Sequence, residues 1–547
     1  MRNRTAPVLV LALALALAPL APISVGFQAD DTPATPTRSG PDPIESLEDR
    51  LVGVGDGDAV PADPVEREVY VVIRMKRGVA PDHPQFDLRN VYDREGAHIA
   101  GGYIPLMAVR DLSKDQQVEA VRIERSRLRS DRSFSARPDA NVAAGVSAIG
   151  ADRLQLAGVT GRNVTVGVVD AGFRVSDPEI AGRVGAYRSF DAEGSDWVHG
   201  TAVASVVADT APGANLHLAA VGGSTTPGEY RDAVAWLRES GADVIVDAGS
   251  YFGQPGDGSG EIASVAAAAS RDVVFVAAAG NYAGRHWRGH YAPARGATRV
   301  EFAPGETANY LEGGAPFGGT VSATLRWDDW NGTDGNRSDY DLLLYRHQPG
   351  TDAVVDRGTA ADDEPVEHLA ARVPRGRYYL AVRASNATDG DTLDLFASRG
   401  LTHRSPGTSL TAPGTAPGVL TVGALDGNGS VAAFSSRGPV AGTDRLGVDL
   451  VAADDVALPG TSPGAGSSYA APYVAGTAAL LVGDNPSFAP RDVRSVLRTS
   501  ATDVGRPGPD PVSGYGRLDA AAAAEFAVEY EQYVDINGSR TARDGRP

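Results

Sequence analysis

Cysteine is missing from this chain altogether. That excludes disulfides, thiolate nucleophiles and every metal site that depends on sulfur. It leaves secretion open, because an exported protein does not require disulfides. Lysine is almost missing too: Lys76 and Lys114 are the only two among 50 basic residues, set against 69 acidic ones. A net charge of −19 disfavours nucleic acid and anionic membrane surfaces as partners. It suits a protein kept soluble at high salt, which points to a halophilic source. Long apolar runs are scarce as well. The one that exists is N-terminal, "PVLVLALALALAPLAP" behind Arg2 and Arg4, the pattern of an export signal with cleavage expected between Ser24 and Ala29. A retained anchor is the alternative, since the run to Phe27 is about 20 residues, just enough to span a bilayer; its two late prolines favour cleavage. The expected location is therefore secreted or extracellular, with surface anchoring as the alternative.

What is present is enough apolar residue, 42% of 547, to build more than one core. Residues 1–28 read as the signal and 29–64, rich in Asp, Pro, Thr and Gly, as linker. Residues 65–135 carry strand-like runs such as "REVYVVIRMK" (67–76) and "VEAVRIERS" (118–126), a small charged α+β unit. The stretch 130–145 is polar and loose, a connection or a cleavage region. From 143 to 295 the pattern becomes α/β: β-branched runs such as "NVTVGVVD" (163–170) alternate with helical stretches such as "YRDAVAWLRESG" (230–241). Such alternation predicts a parallel sheet with helices on both faces. Residues 296–400 switch to short alternating strands broken by Gly, Asp and Asn, an all-β module. The α/β pattern resumes over 401–528, so the module reads as an insertion that can be removed from a folded core. Residues 529–547 read as a polar tail.

Function in parallel α/β sheets collects at the carboxyl ends of strands. Asp170 ends one β-branched run, Asn281 follows another, His199 opens a small-residue helix and Ser468 opens a second one in "GSSYAAPYVAG" (466–476). Taken singly each has a bland explanation; a serine at a helix start is most often an N-cap. Taken together they supply a hydroxyl, an imidazole to take its proton and a carboxylate to hold the imidazole. The chain order Asp, His, Ser differs from that of chymotrypsin and of the α/β-hydrolases and is that of subtilisin.

The strings "VVDAG", "HGTAVASVVAD", "AAAGN" and "GSSYAAPYVAG" resemble the four signature regions of the subtilisin-like serine proteases, the subtilases. The resemblance spans roughly 145–290 and 405–525. It implies a parallel α/β fold and an acyl-enzyme endopeptidase in which Asp170 orients, His199 is the general base, Ser468 is the nucleophile and Asn281 donates to the oxyanion beside the Ser468 N–H. It implies protein or peptide substrates and no cofactor for the chemistry; a monomer is expected, with no specific membrane partner. The chain departs from the pattern at Ala171, Ser467 and Tyr469, where Ser or Thr, Thr and Met are usual. It departs also at Ala248-Gly249-Ser250, where a Ser-x-Gly strand edge usually pairs with substrate, so Gly249 and Ser250 are the substrate-binding candidates. That last departure keeps open a second reading, a catalytically silent subtilase-fold binding protein using its β module. The 65–135 unit resembles a subtilase propeptide, which implies a zymogen whose mature chain begins near Arg137 to Ala144; a permanent N-terminal domain is the alternative. The β module resembles accessory sandwiches of secreted proteases, particularly the pre-peptidase C-terminal type. Its acidic loop offers Asp329, Asp334 and Asp339 as oxygen ligands for a structural calcium, with a solvated acidic turn as the alternative.

Overall fold

The computed structural model describes residues 68–76, 89–94, 97–105, 117–123, 134–135, 142–190, 197–222, 225–292, 298–330, 338–358, 364–387, 390–456 and 464–536, with single positions at 108, 112, 114 and 115. The signal and linker assigned to 1–64 lie outside these residues. Among the described residues no helix is long and apolar enough to cross a membrane. The N-terminal unit contributes four strands, β1 (Glu68–Met75), β2 (Arg89–Arg94), β3 (Ala97–Pro105) and β4 (Val118–Ile123). They form one sheet in the order β2-β3-β1-β4, antiparallel at each pair. A two-residue strand, β5 (Phe134–Ser135), follows it.

The α/β region opens with two short helices, α1 (Val142–Ala148) and α2 (Ala151–Leu156). Next come β6 (Thr165–Asp170), β7 (Val184–Ser189), α3 (Trp197–Thr210), β8 (Asn215–Ala220), α4 (Pro227–Glu239), β9 (Val244–Asp247), α5 (Glu261–Ala269) and β10 (Val274–Ala278). Every residue of β9 and β10 is buried, as strands covered on both faces require, and such strands select Val, Ile and Ala over an alternating pattern. Local chemistry fixes the helix starts. At α4 the Thr226 hydroxyl accepts from the Glu229 N–H (3.1 Å) while the Glu229 carboxylate accepts from the Thr226 N–H (2.9 Å), with Pro227 in the first turn, a reciprocal cap that sets the boundary.

Seven further strands build the insertion: β11 (His286–His290), β12 (Asn309–Tyr310), β13 (Phe317–Trp327), β14 (Asp339–His347), β15 (Ala353–Gly358), β16 (Val366–Asn386) and β17 (Thr392–Ala397). All pair antiparallel. The long β16 serves two groups: its first half pairs β13 and its second half pairs β14 and β12. One apolar core joins both groups, with Trp287, Leu325, Leu342, Leu380 and Leu395 among its members. The inserted sheet thus begins at His286, ahead of residue 296 where the sequence pattern switches. β11 pairs with β17 and Trp287 is buried in the inserted core, so cutting at 296 and 400 strips β11 of its partner.

The chain then returns through β18 (Leu420–Leu425), β19 (Leu450–Ala453), β20 (Asp455–Val456) and β21 (Gly464–Ala465) to helices α6 (Ser467–Asp484), α7 (Pro490–Thr499) and α8 (Ala520–Ile536). The central sheet runs β19-β18-β10-β9-β6-β8-β7, parallel throughout. One apolar cluster gathers one face of this sheet with α1, α3 and α6; a second gathers the other face with α4 and α5. The fold is therefore the expected parallel α/β sheet flanked by helices and interrupted by an antiparallel sheet. Helix α8 continues to Ile536 and overruns the tail assigned from 529. Tyr530 explains part of that extension: it packs on Phe488 (5.8 Å) and its hydroxyl donates to Asp492 (3.1 Å).

Candidate active site

Asp170 is the last residue of β6 and His199 lies in the first turn of α3. Ser468 lies in the first turn of α6, a helix buried from Ser467 to Leu481. The sheet brings these three ends together. His199 Nδ1 lies 2.9 Å from Asp170 Oδ2 and 3.1 Å from Oδ1, and His199 Nε2 lies 2.9 Å from Ser468 Oγ. An ionised carboxylate only accepts, so Nδ1 carries the proton and donates to Asp170; Nε2 then has a lone pair facing the Ser468 hydroxyl. Asp170 is 1% exposed, and its Oδ1 also accepts from the Ala171 N–H at 2.7 Å, which fixes the carboxylate plane. That bond comes from the backbone, so Ala in place of Ser or Thr at 171 does not disturb it.

Glycine permits the close approach of the two elements. A Cβ on Gly200 would fall 2.2 Å from the Gly172 carbonyl oxygen and 2.9 Å from Asp170 Cβ, so any side chain there pushes α3 off the carboxylate. The Tyr469 ring packs against the His199 ring, centroids 5.2 Å apart.

Asn281 follows β10 by three residues. Its Oδ1 accepts from the Ser467 N–H at 2.9 Å, and the Ser467 hydroxyl accepts from the Gly280 N–H at 2.9 Å. With Oδ1 so engaged, the amide Nδ2 is the side chain's remaining donor. A Cβ built on Gly466 would sit 2.9 Å from Asn281 Nδ2 and 3.3 Å from Ser468 Oγ, so residue 466 borders a small space that both groups line. The first N–H groups of a helix have no intrahelical acceptor, and the positive end of the helix dipole lies there. The Ser468 N–H and Asn281 Nδ2 are thus two donors beside one hydroxyl. Ser467, which stands in the sequence only as a departure from the usual Thr, keeps the hydroxyl and uses it to tie the Gly280 backbone to the start of α6.

The substrate-binding candidates fare differently. The Gly249 N–H donates to Asp247 Oδ1 at 2.7 Å and Tyr251 pairs with Ala412, so Gly249 is buried and its N–H is not offered to a peptide. Ser250 is half-buried. The Tyr230 hydroxyl is held far above its ordinary range, by burial first and then by the Asp247 carboxylate. Of the candidate calcium ligands, Asp334 lies outside the described residues. Asp329 accepts from the Ser338 N–H at 2.8 Å, and Asp339 titrates above its usual range through burial and then the Asp341 charge. Among the described residues no group of three or more acidic or histidine side chains gathers as a metal site.

Residues 161–314 and 375–516 match the model of the subtilase family, more than half of the chain. The chain is a subtilase. The break between the two matched segments falls inside the inserted sheet. Subtilisin BL of Lederbergia lenta is 32% identical to this subtilase over 164 residues, 29% of this chain and 55% of that protein. Mycosin-1 of Mycobacterium tuberculosis (strain ATCC 25618 / H37Rv) is 35% identical over 129 residues, 22% of this chain and 29% of that protein. The chain thus spans about half the length, or less, of these curated relatives. Among solved structures, the Clostridium perfringens CspB protease superposes with a TM-score of 0.50 at 16% identity, covering 74% of this chain and 99% of that one, a likeness of fold.

Proposed function

We propose that this subtilase is an exported serine endopeptidase, made as a precursor, that cleaves peptide bonds through an acyl-enzyme on Ser468. The observation that carries the reading is the continuous relay from Asp170 through His199 to Ser468, 2.9 Å at each step. In this reading Ser468 Oγ attacks the substrate carbonyl carbon as its proton passes to His199 Nε2, and Asp170 stabilises the imidazolium. The oxyanion that forms takes hydrogen bonds from the Ser468 N–H and Asn281 Nδ2. The C–N bond then breaks, His199 returns the proton to the leaving amine, and water repeats the sequence on the ester. The names of relatives such as Subtilisin BL support the same class of reaction. The engaged Gly249 N–H is the one feature favouring the silent binding protein; the assembled relay weighs against it. Casein digestion by the wild type at high salt, absent in Ser468→Ala, tests the proposal.

The precursor form finds support in β5. Ser135 pairs opposite Gly464 and Phe134 opposite Ala465, antiparallel, and Ala465 precedes the nucleophile by three residues. A strand in this register approaches Ser468 on the N-terminal side of Phe134, so Phe134 and Ser135 occupy the leaving-amine side. The expected cut therefore lies just ahead of Phe134, N-terminal to the 137–144 window suggested by the loose sequence. N-terminal sequencing of active protein should find a start within a few residues before Phe134, while Ser468→Ala keeps its upstream residues. The same N-terminus in both would exclude self-processing.

A further inference from the structure

The inserted sheet does not sit apart from the site. Its strand β17 places Phe396 against Tyr282, ring centroids 5.8 Å apart and nearly perpendicular, and Phe252 closes the group at 4.9 Å from Tyr282 and 5.2 Å from Phe396. Tyr282 is 1% exposed and follows Asn281 directly. Its N–H donates to Ser436 Oγ at 3.0 Å, and Phe434 O accepts from the Ala283 N–H at 3.1 Å. The backbone after Asn281 is thus tied on one side to the α/β domain, while the Tyr282 ring leans on the insertion.

A second contact from the same sheet reaches the segment that follows β9. Arg326 of β13 is buried; its Nη1 donates to Gln254 O at 2.7 Å and lies 3.5 Å from Phe252 O. Its Nε donates to Asp394 at 3.3 Å and its guanidinium lies 5.0 Å over the Phe396 ring. Asp394 is bound as well by His286 (3.0 Å) and Arg288 (2.7 Å). These bonds hold residues 252–254, which continue from β9 and the Gly249-Ser250 segment, against the same Phe396 that backs Tyr282. The side chains of Phe252, Tyr282 and Phe396 form an apolar cluster of their own, distinct from the cores of either domain.

We infer that Phe396 is a positioning residue for the oxyanion donor: the inserted sheet acts through Tyr282 to aim the Asn281 amide, with Arg326 holding Phe252 and so the third side of the same cluster. A buried aromatic wedge suits this role. Packed interiors transmit displacement with little give, and a shift of about 1 Å in a catalytic group is worth about 10²-fold in rate. The insertion is then a working part of the protease and not an accessory hung on a loop. The inference rests on the reading of Asn281 as oxyanion donor.

Wild type, Asn281→Ala, Phe396→Ala and the double variant decide it, with kcat and KM measured on a peptide p-nitroanilide that the wild type cleaves. Phe396→Ala should lose about 10- to 100-fold in kcat with KM within about threefold, and Phe396→Leu should recover most of that loss by refilling the space. In the Asn281→Ala background, Phe396→Ala should cost less than about threefold more, because the group it positions is already gone. If the two losses multiply, or if Phe396→Ala moves KM alone, the proposal is overturned while the Asn281 assignment stands. If Asn281→Ala keeps full turnover, the oxyanion assignment itself falls and this proposal with it. Should Phe396→Ala fail to fold, Phe396→Val, which leaves most of the ring's space empty, carries the same cycle, and a wild-type kcat in that variant overturns the proposal.

Discussion

The candidate active site and the junction of the inserted sheet with the α/β domain both join polar side chains drawn from distant segments, and they end differently. In the cleft, Asp170 holds His199 and His199 meets the Ser468 hydroxyl, whose oxygen is the reactive end of the chain of bonds. At the junction, Asp394 receives His286, Arg288 and Arg326, and Arg326 also donates to backbone carbonyls of 252 and 254. The first network terminates on a hydroxyl; the second gathers its donors on one carboxylate and leaves Arg326 Nη2 buried without a hydrogen-bond partner. In the proposed function, the same buried surroundings serve chemistry in one place and hold the inserted sheet to the α/β domain in the other.

The largest effect expected of breaking either network is at the nucleophile. Ser468→Ala and His199→Ala should each lose about 10⁶-fold in kcat, because members of such a unit fail together, and the double variant should be no worse than either. Turnover assays on folded protein, checked by circular dichroism, give the answer; a residual rate within about 10²-fold of wild type places the chemistry elsewhere. Next comes Asn281→Ala, with about 10²–10³-fold lost in kcat and KM nearly unchanged.

The junction should respond in stability first. Burial pushes the Asp394 carboxyl up, but Arg326, His286 and Arg288 together hold it well below the ordinary carboxylate range. A depressed folded pKa contributes stability that is complete above the unfolded value of about 3.9 and is lost as pH falls below it towards the folded value. Asp394→Asn leaves the buried Arg326 guanidinium without its anion and should cost about 3–5 kcal/mol at neutral pH. Its deficit relative to wild type should shrink as pH falls below about 4. Denaturant melts of both proteins across that range test the sign; a deficit that grows towards acid contradicts it.

This contrast also explains what the sequence disclosed. Each cleft residue ends a strand or opens a helix inside a short string, "VVDAG", "HGTAVASVVAD", "AAAGN" or "GSSYAAPYVAG", so backbone position and chemistry are read together. The parallel sheet was legible for a similar reason, since β10 is a continuous apolar run and β9 is one up to its closing Asp247. His286, Arg326 and the pair Asp394 and Phe396 sit on three separate strands whose pairing is set by tertiary register, and no local string marks them. The sequence pattern places residues 286–290 with the 143–295 α/β stretch, yet Trp287 buries its ring in the inserted core and its indole N–H donates to Phe302 O at 2.9 Å. The polar 130–145 stretch likewise concealed the pairing of Phe134–Ser135, because a two-residue strand has no periodicity to detect.

The most direct measurement of the central claim is covalent labelling of the intact protein with a fluorophosphonate, followed by peptide mapping. The compound phosphonylates only a serine whose proton is drawn off by a neighbouring base beside an oxyanion pocket. The geometry of Asp170, His199, Ser468 and Asn281 predicts one label, on Ser468, lost in Ser468→Ala and much slowed in His199→Ala. A label on any other serine, or none on folded wild-type protein, would contradict the account.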